Sequence, residues 1–184
     1  MNAGAGKALT SSRLQNHFEL FGLSPAFLLD KEVLDKAYRE IQSQVHPDRF
    51  AHAGDAERRA SLQWTTRVNE AYRILKDPVQ RARHLLELHG VDVAFETNTA
   101  MPPEFLMQQM ELRESLEEAT ARKDSSRIDS LRKDLGREKQ LLEKAIADAI
   151  DVRKDYRGAA DLVRKLQFLD KLDNEIDAAY ETIE

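Results

Sequence analysis

The 184-residue chain contains no cysteine. That excludes disulfides, thiolate zinc sites, iron–sulfur ligation by the chain itself and a cysteine nucleophile. No stretch approaches the roughly 18 consecutive apolar residues of a membrane-spanning helix. Glycine (7 residues) and proline (5) are scarce against usual shares of about 7% and 5%. What is plentiful is Glu, Lys, Arg, Leu and Ala, so the chain is expected to be all-α. Charged residues reach 33% and apolar residues 41%, lean but sufficient for a core.

Charge is unevenly spread. Residues 1–90 hold 13 Lys+Arg and 11 Asp+Glu, a balance of +2, while residues 91–184 hold 15 and 22, a balance of −7. All five histidines (His17, His46, His52, His84, His89) lie in the first half. The halves therefore read as different modules. The acidic half argues against nucleic acid, whose phosphates need a basic footprint, and no basic amphipathic helix suggests a membrane surface.

Residues 1–13 are mostly small and polar and read as a flexible tail; without an apolar run they are not a secretory signal. Acids are absent up to Glu19, as in organelle transit peptides, but the stretch is short and its only bases are Lys7 and Arg13. A cytoplasmic protein of bacterial type is the expectation. A brief helix over Asn16–Leu23 ends at Gly22. Asp30 caps a helix of roughly 15 residues with Val33, Leu34, Ala37, Tyr38, Ile41 and Val45 at helical spacing. It stops at His46-Pro47-Asp48, because proline disfavours helix at the preceding residue. Asp55 is expected to cap a third helix, and Asp77-Pro78 ends it and starts a fourth that runs to Gly90. Residues 14–90 thus form one module and Val91–Pro103 a linker. Beyond it three helices fit, at about 104–122, 125–155 and 159–182, broken at 123–126 and at Arg157-Gly158. Short connections imply antiparallel neighbours, hence a three-helix bundle over 104–184.

His46-Pro47-Asp48 alone is a turn in a helical hairpin. It does not stand alone. Tyr38-Arg39 precedes it, Arg49-Phe50 follows, and Val68-Asn69-Glu70-Ala71-Tyr72-Arg73-Ile74-Leu75-Lys76-Asp77-Pro78 comes downstream. Over about residues 14–80 this order resembles a J-domain. The resemblance implies an Hsp70-class ATPase chaperone as partner, contacted through His46, Pro47, Asp48 and Arg49. Physically, Asp48 is a carboxylate on a turn, suited to pairing with an arginine. Lys36 and Arg39 fall on the solvent side of the preceding helix and can steer an acidic chaperone surface; a solvated helix face would look the same.

Two further stretches, Phe105-Leu106-Met107-Gln108-Gln109-Met110-Glu111-Leu112-Arg113-Glu114 and Val163–Leu172, together with Arg81–Leu88, extend the likeness to about residues 14–180. The whole resembles the HscB-type J co-chaperones of iron–sulfur cluster assembly. Some members carry an N-terminal zinc module of CxxC pairs; this chain has none, as in the simpler bacterial form. The resemblance implies a second partner, the IscU-like scaffold, contacted by Leu106, Met107, Met110, Glu111, Glu114, Glu118 and Phe168.

The residues also speak for themselves. At about 100° per residue, Phe105, Leu112, Leu116 and Ala119 share one face, assigned to the bundle core. Leu106, Met107 and Met110 point to the other side, continued by Glu114, Glu117 and Glu118 with Glu111 beside them. A bundle helix needs one apolar stripe. A second, rimmed by carboxylates, suits a docking patch, unless the linker or the first module covers it. Phe168 lies at the edge of the inner face set by Leu162, Leu166, Leu169, Leu172, Ile176 and Tyr180, either a core flank or a binding anchor.

The expectation is a two-module adaptor without catalysis, cofactor or metal, since the histidines show no HExxH or comparable ligand pattern. It would stimulate a specialised, HscA-like Hsp70 and deliver the scaffold to it. The alternatives are a J-protein serving another client and a structural helical protein that self-associates.

Overall fold

The computed structural model describes residues 16–50, 53–93 and 101–183. Among these every regular element is helical. The chain divides into two compact units, 1–81 and 82–184. The expected tail and most of the expected linker (94–100) lie outside the described residues.

In the first unit, α1 (His17–Leu20) is capped by Asn16, which accepts the Glu19 N–H at 2.9 Å. It is closed by Gly22, whose φ of +66° lets the Leu23 N–H reach the Phe18 carbonyl at 2.9 Å; that left-handed backbone favours glycine. Helix α2 (Lys31–Val45) starts at Asp30, whose carboxylate accepts the N–H groups of Glu32 and Val33. A single 3-10 turn, Pro47–Phe50, leads out of it, where the sequence reading has Phe50 begin a loop. Helix α3 (Asp55–Lys76) is preceded by Gly54 at the cap position, not by Asp55. Asp55 instead stands in the first turn, paired with Arg58, where its charge suits the helix dipole.

Helices α2 and α3 pair as an antiparallel hairpin. Tyr72 donates to Asp35 at 2.7 Å, and Tyr38 donates to Asn69 at 3.0 Å. The Tyr38 and Tyr72 rings stack at 4.0 Å. Phe18, Phe21, Phe27, Leu34, Val68, Ala71 and Leu75 fill the interior. Val33, expected on the apolar face, is exposed, because Leu34 takes the inward direction and its neighbour lies about 100° round the helix. Arg81 is buried as well; its guanidinium donates to the carbonyls of Phe27 (2.8 Å) and Leu75 (2.6 Å). A charge out of water is tolerable only with its donors engaged in this way.

Helix α4 (Pro78–Leu88) begins where Asp77 accepts the Gln80 N–H, and ends at Gly90 (φ +72°). The unit boundary falls inside it, after Arg81, whereas the sequence reading keeps this helix whole with the first module. Within the second unit, His89 stacks on Tyr156 at 3.8 Å, and Arg164 donates to the Val93 carbonyl at 3.1 Å. Val93, the third residue of the expected linker, is therefore tied to the last helix.

The three long helices are α5 (Pro103–Ala121), α6 (Ser125–Ala147) and α7 (Tyr156–Ile183). Their core holds Phe105, Leu116, Ala119, Ile128, Leu131, Leu135, Leu169, Leu172, Ile176 and Ala179, with Leu112, Phe168 and Tyr180 packed at its edge. Leu162 is only half-buried, and Val163 takes the inward place expected of it. The α5–α6 break is at Lys123 (φ +52°), after which Asp124 caps α6 by accepting the Arg127 N–H. The second break departs from expectation. Helix α6 passes into a π-helical segment, Asp148–Arg153, and the chain turns at Lys154 (φ +57°). Asp155 caps α7 by accepting the Gly158 N–H at 2.9 Å. Gly158 is thus inside the first turn rather than at the break. A Cβ there would sit 2.2 Å from the capping carboxylate, so glycine makes room for the cap.

Helices α6 and α7 run antiparallel, locked by Lys139 to Asp170 (2.6 Å) and Asp173 (2.8 Å), Arg132 to Asp177, and Tyr180 to Asp129. Burial pulls the Lys139 pKa down, but hydrogen bonds and charges from Asp170 and Asp173 outweigh it and hold it above 10.5. The hydrogen bond to Asp129, reinforced by desolvation, raises Tyr180 above 10.0. Both groups bind their protons more tightly folded than unfolded. Their contribution is therefore complete below the unfolded values and lost as pH rises through the folded ones. Melting temperature should fall once pH passes 10.5, and Lys139→Met should flatten that fall. Parallel alkaline slopes for the two proteins would show that this cluster does not carry it.

Candidate functional site

Two surfaces gather the residues singled out by the sequence. The first is the turn after α2. Proline at position 47 has no N–H, so α2 cannot continue its hydrogen bonding to Ser43. The Asp48 N–H goes instead to His46 Nδ1 at 3.3 Å, and the Arg49 N–H to the His46 carbonyl at 3.1 Å. The Asp48 side chain is 91% exposed, with its Oδ2 3.5 Å from His46 Nδ1. His46 is half-exposed. Lys36 and Arg39 both face solvent on α2, Lys36 within 4.0 Å of Glu40. These four side chains display one carboxylate and two cations, with an imidazole between them in sequence.

Arg49 does something further. Its Nη1 donates to the Ser43 carbonyl at 2.8 Å, the acceptor that Pro47 leaves unserved. Opposite it, two α3 hydroxyls converge on the Val45 carbonyl, Ser61 at 2.6 Å and Thr65 at 3.1 Å. Ser61 is buried (4% exposed) and Thr65 half-buried. The sequence reading missed both hydroxyls. The available signal was a polar residue at spacings of four and seven on the stripe that carries Val68 and Leu75.

The second surface lies on α5. Met107 and Met110 are each 61% exposed and Leu106 39%. Glu111, Glu114, Glu117 and Glu118 are exposed too, so a strip of apolar side chains meets solvent beside carboxylates. Phe168 differs from these. It is half-buried, packs on the bundle core and meets Phe105 edge to face with ring centres 6.1 Å apart. Lys171 Nζ lies 5.6 Å from its ring centre. The α5–α7 contacts run from Phe105–Phe168 to Arg113–Glu175 (2.8 Å), so these two helices are parallel. Phe168 accordingly stands next to the start of α5, whose first two turns carry Leu106 and Met107.

Comparison with known proteins matches both parts of the chain to families. Residues 16–84 match the DnaJ domain, and residues 101–177 match the HSCB C-terminal oligomerisation domain. A co-chaperone protein HscB homologue of Burkholderia thailandensis is 51% identical over 92% of this chain and 96% of its own length. One from Azoarcus is 49% identical with the same coverage. The solved structure of chaperone HscB from Vibrio cholerae superposes with a TM-score of 0.82 at 35% identity, covering 92% of this chain and all of that one. With the turn on one unit, the acid-rimmed strip on the other and near-complete coverage by these relatives, the chain belongs to the HscB family of J-domain co-chaperones.

Proposed function

We propose that the turn on α2 is the contact for the Hsp70-class chaperone and that the strip on α5, with Phe168, receives the scaffold. As an HscB family member the chain is a co-chaperone that works with an HscA-like Hsp70 and an IscU-like scaffold in iron–sulfur cluster assembly. What is proposed is which residues do this and how.

Asp48 pairs with an arginine of the chaperone through charge-assisted hydrogen bonds, and Lys36 and Arg39 steer the encounter. Leu106, Met107 and Met110 bury apolar surface on the scaffold, methionines being adaptable at such contacts. Glu111, Glu114 and Glu118 form a rim that selects a basic surround. Holding both partners on one chain raises the scaffold's effective concentration at the chaperone. The chain carries no catalysis of its own; the ATP is hydrolysed by its partner. The domain assignment follows the same reading: residues 14–90 serve the chaperone and 104–184 the scaffold. No described helix is long and apolar enough to cross a membrane, and a cytoplasmic setting is part of the proposal.

The observation that carries this reading is that one chain presents an exposed Asp48 on its turn and an exposed, acid-rimmed Leu106-Met107-Met110 strip. The test is Hsp70 ATPase turnover with this protein, with scaffold, and with both. Stimulation by the protein alone and more than additive stimulation with both are expected. Strictly additive rates would sink the delivery role.

A further inference from the structure

The last turn of any helix leaves carbonyls without intrahelical donors. At the end of α2 the shortage is sharper than usual. Ser43 would be served by the N–H four residues on, but that residue is Pro47. Val45 would be served by the Arg49 N–H, which is committed to His46. The Asp48 N–H is committed to His46 Nδ1. The usual main-chain donors are thus spent or missing, and side chains serve the two carbonyls: Arg49 that of Ser43, and Ser61 with Thr65 that of Val45.

Val45 is the residue before His46, so its peptide plane sets the direction in which the turn leaves α2. A carbonyl gripped by two donors from α3 cannot rotate without breaking both bonds. The hydroxyls are 16 and 20 residues away in sequence, so they tie the turn to a separate rigid helix rather than to its own. Neither reaches the outer face where Asp48 is displayed: Ser61 is buried, and both are spent on the backbone.

We propose that Ser61 and Thr65 are positioning residues for the His46-Pro47-Asp48 turn, holding it in the one geometry the chaperone reads. The inference rests on the turn being the chaperone contact. It makes a distinctive kinetic claim. A turn released from its clamp still visits the competent geometry, so the chaperone can select it. Apparent affinity falls by the competent fraction while the response at saturation survives.

The test titrates Hsp70 ATPase stimulation with the full chain, with Ser61→Ala/Thr65→Val and with Thr65→Ser. In the double variant the concentration for half-maximal stimulation should rise roughly tenfold or more, with the maximum at saturation unchanged. Thr65→Ser keeps its hydroxyl and should titrate as the parent does. Circular dichroism and melting curves accompany each titration. If the double variant melts near the assay temperature, Thr65→Val alone carries the test, with a rise of about threefold. A half-maximal concentration equal to the parent's in a folded double variant overturns the inference, as does a lost maximum, which would place the hydroxyls in the contact itself. If the parent fails to stimulate at all, the reading of the turn has failed instead, and the inference falls with it.

Discussion

Asp48→Asn is expected to abolish Hsp70 stimulation at every concentration reached, while helical content and melting temperature stay at the parent's values. The substitution keeps shape and removes one charge from a side chain that is 91% exposed. Exposed substitutions usually move stability by no more than about 0.5 kcal/mol. At the interface the balance reverses. Removing one member of a desolvated, hydrogen-bonded charge pair costs about 2–5 kcal/mol, which is roughly 30-fold to several thousandfold in binding. His46→Gln should behave alike, since His46 stands half-exposed beside Asp48 in the proposed contact itself, its Nδ1 accepting the Asp48 N–H. Turnover and circular dichroism are measured on the same preparations. Normal stimulation by either variant would remove the turn from the chaperone contact. The clamp variants differ in degree: they should shift the half-maximal concentration roughly tenfold and still reach the parent's maximum.

Much of this architecture was legible because helices announce themselves locally. Asp30, Gly22, Asp77, Gly90 and Asp124 all stand at the ends of the helices that the pattern predicts. The misplacements occur where a tertiary partner decides. Gly158 reads as a breaker, yet it lies within α7 because the Asp155 carboxylate needs the space a Cβ would take. Val33 fits the apolar spacing of α2 but is exposed. Polar residues on core stripes were the blind spot. Ser61 and Arg81 satisfy carbonyls across the fold, and Gln109 is buried between Phe105 and Leu112 along α5. Periodicity assigns such positions by hydropathy and has no access to the carbonyls waiting opposite Ser61 and Arg81. For the α5 surface, angular position alone separated Phe105 and Leu116 from Met107 and Met110, and burial follows that division. It left Phe168 at the edge of the inner face, as a core flank or a binding anchor. The ring is half-buried against Phe105, because α7 leans a flank on α5 that a single-helix projection does not contain.

That difference shapes the second large effect. Replacing Leu106, Met107 and Met110 together by alanine should weaken scaffold binding by two or more orders of magnitude. Each well-packed anchor typically costs about 1–4 kcal/mol when truncated, and three neighbouring ones need contribute only near the low end. Alanine is a good helix former and both methionines are 61% exposed, so the melting temperature should move only by what Leu106, 39% exposed, gives up. Phe168→Ala is a different experiment. Truncating a half-buried aromatic with an edge-to-face partner leaves a void beside Phe105, so both affinity and stability should fall. A loss of binding in that variant alone would therefore not identify an anchor. The decisive measurement is calorimetric titration of the triple variant with an IscU-like scaffold, beside its melting curve and a chaperone ATPase assay. Stimulation in the absence of scaffold should persist, because the turn that supplies it lies in the other unit. If the triple variant binds the scaffold as the parent does, α5 is not the docking surface. If it melts well below the parent, the three side chains belong to the bundle interior and the second apolar face of α5 has been misread.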